Sequence, residues 1–205
     1  MRYLFLILFT VSLNAQILPS QQATHYKKNC VSSDTWDSSI KPDCATFPNC
    51  DSTSLVNNCS NIWSTVYGEI AVSSGIQEWE ITINSLNESD VPFLNGFWMT
   101  LGIVNLRNNK DTYSTNKTPS QGGTSGTLGY IYSSDGRTET NVVFSSYGES
   151  YAAGDVIKIS LNMNNRELTF YKNGTSQGVA HTVATGTYYL TSSFYKGSSA
   201  SLTIN

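Results

Sequence analysis

The sequence predicts an all-β fold, a sandwich of two antiparallel sheets behind a disulfide-rich N-terminal extension. Three observations predict it. From residue 61 onward, short segments alternate apolar and polar residues between regularly spaced turn signals. No amphipathic helix of useful length interrupts them, and many short strands with such turns indicate a sandwich. All four cysteines, Cys30, Cys44, Cys50 and Cys59, lie ahead of this region.

The chain has 205 residues. Residues 1–15 read as a secretory signal peptide. Arg2 supplies the positive start, YLFLILFTVSL from Tyr3 to Leu13 an apolar run too short to span a bilayer, and Ala15 a small residue at the cleavage position. An uncleaved anchor helix is the weaker alternative. Residues 16–60 read as a loop-rich segment without helical or strand period. An even cysteine count in a secreted chain suggests two disulfides, within residues 30 to 59 and in any of three pairings. The cysteine intervals do not match paired zinc-ligand spacings. Each bridge contributes roughly 2–4 kcal/mol by restricting the unfolded chain. Residues 61–205 form the β domain, which is expected to fold without the cysteine segment.

Within that domain GIQEWEITINSL places Trp79, Ile81 and Ile83 on one face and Glu78, Glu80 and Thr82 on the other. GFWMTLGIVNL is apolar on both faces, as a central strand requires. NLRNNKDTYSTNKTPSQGGTSG is a long polar loop. LGYIY, the turn SSDG and the strand TETNVVF form a hairpin. GDVIKISLNMNNRELTFYKNG supplies two further strands around Asn164-Asn165 and ends in Asn-Gly, which suits a tight hairpin turn. Ile157, Ile159, Leu161 and Met163 point to one side, and Leu168 and Phe170 continue that buried side. TYYLTSSF and SASLTIN are the last two strands.

Charged residues make up 13% of the chain and the net charge is −3. The absence of a basic block argues against nucleic acid and against electrostatic membrane anchoring. Four Asn-x-Ser/Thr sequons occur, at Asn58, Asn87, Asn116 and Asn173. Asn87 and Asn116, read as lying in polar loops, are the expected glycan acceptors.

Four elements resemble the SPRY domain, also called B30.2, in order. SSGIQEWEITI resembles its Gly-x-x-x-Trp-Glu-Val strand, MTLGIV its following glycine-containing strand, and TLGYIY its Leu-Gly-Tyr strand. GDVIKISLNMNNRELTFYKNG resembles its most diagnostic block, with Lys158 in place of the usual Gly and Asn162 in place of the usual Asp. The resemblance covers roughly residues 60 to 205. It implies a concanavalin-like jelly roll and a binding module, usually for proteins or peptides; given the signal peptide, the expected partner is an extracellular protein or peptide, and no cofactor is expected. It also implies a ligand rim built from loops at one side of the sandwich. By motif, Tyr130 and the turn Tyr195-Lys196-Gly197 carry over to that rim. Tyr113, Tyr147, Tyr151 and Tyr195 lie in or beside predicted turns, and tyrosine gives large contact area at low entropy cost. A carbohydrate ligand, as in a lectin, is the alternative.

Catalytic readings are weaker. Gly174 to Gly178 reads GTSQG, but the nucleophile pattern needs a following helix, and VAHTV is β-like. His181 has no placed partner. Glu78 and Glu80 share a strand face, which could suit a two-carboxylate glycosidase. The third acid such sandwiches carry is replaced here by Thr82 or Asn84. Asp135 and Asp155 lie beside turn glycines, without the converging oxygens that Ca²⁺ needs.

Overall fold

Among the described residues, alternation of side chains builds a seven-stranded and a six-stranded antiparallel sheet packed face to face. The computed structural model describes residues 34–48, 53–58, 63–87, 99–107, 128–141, 143–195 and 198–205. All belong to the unit from Val31 to Asn205. The strands are β1 (Ala45–Thr46), β2 (Ser54–Asn57), β3 (Trp63–Tyr67), β4 (Ile76–Asn87), β5 (Met99–Val104), β6 (Gly129–Ser133) and β7 (Arg137–Thr140). They continue as β8 (Val143–Ser146), β9 (Val156–Asn162), β10 (Glu167–Lys172), β11 (Thr175–Thr182), β12 (Tyr189–Tyr195) and β13 (Ser199–Ile204). The larger sheet runs β1-β2-β13-β4-β9-β10-β11, the smaller β3-β12-β5-β6-β7-β8.

Register turns the alternation into a core. Trp79 lies opposite Ile159, and Ile159 opposite Phe170. Ile81 lies opposite Ile157, and Leu161 opposite Leu168. All these side chains are buried. Facing them from the smaller sheet are Met99, Leu101, Ile103, Tyr130, Tyr132, Leu190 and Phe194, in the same cluster. β5 is buried at every position, as its two-faced apolar sequence predicts. At Gly102 a Cβ would lie 2.1 Å from the carbonyl oxygen of Tyr130, so the close approach of β5 and β6 admits only glycine.

Two turns differ in detail from expectation and a third does not. The β9–β10 connection spans Met163 to Arg166, since Asn162 pairs with Glu167, and Arg166 takes a left-handed conformation with φ 60°. TETNVVF is not one strand. Asn141 adopts φ 49°, and the chain reverses so that Thr140 pairs with Val143, giving β7 and β8. Asn tolerates that conformation better than its neighbours could. The Asn173-Gly174 turn is as predicted, with φ 49° and 79° between the paired Lys172 and Thr175.

The largest correction concerns the N-terminal segment. Residues expected to form a loop region ahead of the domain are part of the sandwich. β2 pairs with β13, and β1 with β2. Trp36, Ala45 and Leu55 are completely buried in the main core. Trp36 bridges Gly68, the Asp37 N–H donates to the Tyr67 carbonyl at 2.7 Å, and the Glu69 N–H to the Thr35 carbonyl at 2.9 Å. The segment thus extends the edge at β3. Asp34 fastens it: one carboxylate oxygen accepts the Trp79 indole N–H at 2.5 Å. The other accepts the N–H groups of Thr35, Glu69 and Ile70 at 2.7–3.2 Å. Burial raises the Asp34 carboxyl above its ordinary pKa, and these hydrogen bonds offset part of that. A Cβ at Gly68 would sit 2.9 Å from the Asp34 carboxylate, which explains the glycine there. Cys44 is disulfide-bonded; its partner among Cys30, Cys50 and Cys59 lies outside the described residues.

Tyr147 closes the sandwich between β8 and β11. Its ring meets Tyr132 edge-on at 5.4 Å and Phe170 at 6.0 Å. The β10–β11 ladder shifts register around Phe170, leaving that N–H without a strand partner. The Tyr147 hydroxyl accepts it at 3.2 Å and donates to the Gly178 carbonyl at 2.5 Å. A phenol therefore completes a bulged ladder.

Two variants check this. Trp36→Ala is expected to destabilise the protein by about 3–5 kcal/mol in urea unfolding, as a core substitution does; a change confined to a few tenths would show that the segment is peripheral. Tyr147→Phe keeps the ring and removes the hydroxyl. Its expected loss is about 1–2 kcal/mol, with amide exchange rising at Phe170 first.

Candidate binding site

Strand ends bring several loops together at one end of the smaller sheet. β12 finishes at Tyr195, β6 at Ser133, and β5 begins at Met99, all at this end by register. The Ser198 N–H donates to the Tyr195 carbonyl at 2.8 Å and closes the turn into β13. The Ser134 N–H donates to the Met99 carbonyl at 2.9 Å, which sets the Ser134–Gly136 turn beside β5. The 147–155 segment then packs on that turn. Tyr147 and Gly148 donate to the Gly136 carbonyl, and Tyr151 to the Ser134 carbonyl. Gly136 has φ 92°, and a Cβ there would lie 2.5 Å from the Gly148 carbonyl oxygen. The turn requires glycine on both counts.

Of the sequence-predicted ligand residues, Tyr195, Tyr147 and Tyr151 fall at this end, and Tyr130 does not. Tyr195 is half-buried at the margin of the small outward-facing hydrophobic cluster. Lys196, Gly197, Tyr113 and the sequon Asn116 lie outside the described residues. Tyr151 is 4% exposed, and its hydroxyl is shared between the carbonyls of Tyr132 at 2.9 Å and Met99 at 3.3 Å. Burial pushes its phenol well above the ordinary value. Tyr130 is 7% exposed near the opposite end of β6, where its hydroxyl accepts the Ala184 N–H at 3.0 Å. Tyr130 and Tyr151 therefore support their loops from inside and expose too little surface to form a ligand face. Tyr147 is half-buried, with its hydroxyl committed to β10 and β11.

The polar groups at this end are paired among themselves. The Asp135 carboxylate holds the Arg137 guanidinium at 2.5–2.6 Å, and that cation lies 4.9 Å from the Phe144 ring centroid. Lys172 lies 3.5 Å from Glu149 and 3.6 Å from Asp155, and donates to the Ser150 carbonyl at 2.8 Å. Burial pushes the Asp155 carboxyl up, but the Ala152 N–H, the Asn173 amide and the Lys172 ammonium together hold it below its ordinary value.

The other sequence candidates fall into structural roles. Glu78 pairs with Lys158 at 3.3 Å, and Lys158 lies 4.2 Å above the Tyr171 ring. Glu80 accepts from the Asn205 amide at 3.2 Å. The Ser176 hydroxyl accepts the Gly178 N–H at 3.2 Å within β11. Asn173 uses its side chain to bind Val156 and Asp155. Asn87 is exposed at the last position of β4, with its amide 3.0 Å from the Ser199 hydroxyl. Among the described residues no cluster of His, Cys, Asp or Glu could hold a metal, and no helix is long and apolar enough to cross a membrane.

Similarity to known proteins agrees with this architecture. The SPRY domain profile matches residues 79–205. The ATP-dependent RNA helicase Ddx1 of Drosophila melanogaster is 38% identical over 53 residues, which is 26% of this chain and 7% of that protein. The chain thus matches only a small part of that relative's length. The SPRY domain of human HERC1 superposes with a TM-score of 0.63 at 20% identity, covering 82% of this chain and 96% of that one. The TRIM65 PSpry domain superposes at 0.59 with 15% identity, covering 84% and 91%. SPRY domains are generally protein–protein interaction modules. The profile spans more than half the chain, and the two sheets follow the fold of these solved domains: the chain belongs to the SPRY domain family.

Proposed function

We propose that this chain is a secreted binding module that recognises a protein or peptide partner at the sandwich end formed by the Tyr195–Ser198 turn, the Ser134–Gly136 turn and the 147–155 segment. The observation that carries this reading is their convergence at one end, held from beneath by Tyr151 and from the side by Tyr147. Rigidly supported loops are where binding residues concentrate in β-sandwiches. Tyr195, at the strand end, supplies the aromatic anchor, with Lys196 and Gly197 following it. The internal pairing of Asp135, Glu149 and Asp155 favours a partner recognised by shape and aromatic contact over one captured by charge.

Secretion rests on the apolar leader and on the cysteines. In this reading all four cysteines pair, Cys44 with one of Cys30, Cys50 and Cys59 and the other two together. Asn87, exposed at the end of β4, and Asn116 carry N-linked glycans. Non-reducing peptide mapping of secreted protein, with and without glycosidase, reads pairing and occupancy together; free thiols would remove the secretory argument.

The function test is a cross-linked pull-down from extracellular medium and cell surface, followed by titration of the captured partner. Tyr195→Ala is expected to weaken that binding by about 5- to 30-fold while the thermal midpoint moves little. Phe170→Ala is expected to lower stability by about 3–5 kcal/mol. Undiminished binding by Tyr195→Ala would place the contact surface elsewhere. Specific binding on a glycan array, without protein capture, would favour the carbohydrate alternative.

A further inference from the structure

We propose that the contact between His181 and Tyr130 is a pH-sensitive latch holding edge strand β11, and the turn that follows it, onto the smaller sheet. Among the described residues β11 is the last strand of its sheet and pairs with β10 alone. Its ladder to β10 shifts register between Leu168 and Tyr171, so fewer backbone bonds hold it than hold β4 or β9. Near its start β11 is tied across the sandwich by the Tyr147–Gly178 and Glu149–Gln177 hydrogen bonds; at its far end the contact with the opposite sheet is aromatic. His181 lies opposite Leu168, a core residue, so the imidazole turns inward. Its ring meets Tyr130 of β6 at 5.3 Å between centroids, inclined by 54°. Tyr130 in turn accepts the Ala184 N–H at 3.0 Å, and Tyr188 donates its hydroxyl to the Ala184 carbonyl at 3.0 Å. The two tyrosine rings meet edge-on at 5.9 Å.

The inner nitrogen of this imidazole, Nε2, is buried and has no hydrogen-bond partner. Among the described residues no charged or hydrogen-bonding group meets this nitrogen to hold a proton there. β10 presents Leu168, β6 presents Tyr130, and the start of β12 is approached through Tyr188. The nearest charged residues on β10 and its turn are Arg166 and Glu167. Arg166 is exposed, and the Glu167 carboxylate is held by the Asn165 amide at 2.6 Å. Burial accordingly pushes the His181 imidazole down to about 4. Once β11 lifts away, the ring regains its ordinary value near 6.5. The released form therefore binds the proton more tightly than the latched form. The latch is at full strength above about pH 6.5 and weakens as pH falls toward 4.

These two values imply that the open population of β11 rises about 30-fold between pH 7.5 and pH 5.0. Hydrogen exchange on the full-length protein, corrected for intrinsic rates, reads it directly. Amides from Val179 to Ala184 are expected to lose protection over this range while those of β4 and β13 keep theirs. The chain has two histidines, so His25→Gln controls for the other. His181→Phe preserves an aromatic contact and is expected to abolish the pH dependence. Protection in β11 that changes less than threefold, or a pH dependence that survives in His181→Phe, overturns the proposal. If that variant fails to fold, the His181 imidazole is titrated by NMR in the native protein. A midpoint near 6.5 contradicts the latch, and one displaced well toward 4 supports it.

Discussion

One buried hydrogen bond joins two parts of the chain that the sequence separates. The Trp79 indole, on the central strand β4, donates to the carboxylate of Asp34, 45 residues earlier. A buried carboxylate is costly unless its oxygens are satisfied. Here the two oxygens receive one indole and three backbone N–H groups. That arrangement fixes residues 34–37 along the end of β3, places Trp36 in the core and obliges Gly68 to lack a side chain. Asp37 then reaches the Arg107 guanidinium, which lies 4.5 Å from the Tyr189 ring centroid. The contact thus organises one flank of the smaller sheet and decides that the N-terminal segment belongs to the domain.

Tyrosines do similar work elsewhere. Tyr132, Tyr147, Tyr151 and Phe170 form a cluster with ring centroids 5.0–6.0 Å apart between the two sheets. Each phenol has an apolar body that fills core volume and a polar tip that satisfies a backbone group interrupted by a turn or bulge. Tyr132 donates to the Glu149 carbonyl, Tyr151 to Tyr132, and Tyr147 to Gly178. The end of the sandwich where these loops meet therefore sits on a scaffold of hydroxyl-to-carbonyl bonds.

Strand alternation was legible because it is local: the buried faces of β4, β9, β10 and β13 follow from period two alone. The Asn173-Gly174 turn was legible because its residues demand that conformation. The N-terminal strands were not, because β2 has four residues and β1 two, and their apolar content is one side chain here and there. Trp36, Ala45 and Leu55 show no period, and only contact with β13 and β3 gives them a common face. Tyrosine roles were misread for a related reason. Proximity to a turn marks where a tyrosine begins, whereas burial depends on which strand lies across from it. Tyr130 and Tyr195 follow the same motif argument, yet β6 carries one toward the core and β12 carries the other outward. His181 similarly reads as a plain strand residue until Tyr130 is placed beneath it.

The central claim is that Asp34 and Trp79 act as one unit that docks the N-terminal segment onto the sandwich. A double-mutant cycle of Asp34→Ala and Trp79→Phe, followed by urea unfolding, tests it most directly. The account predicts a coupling energy of about 1–3 kcal/mol, because each single change strands the other's buried polar group. Strictly additive losses would contradict it, and would mean that the segment and the sheet are held together by packing alone.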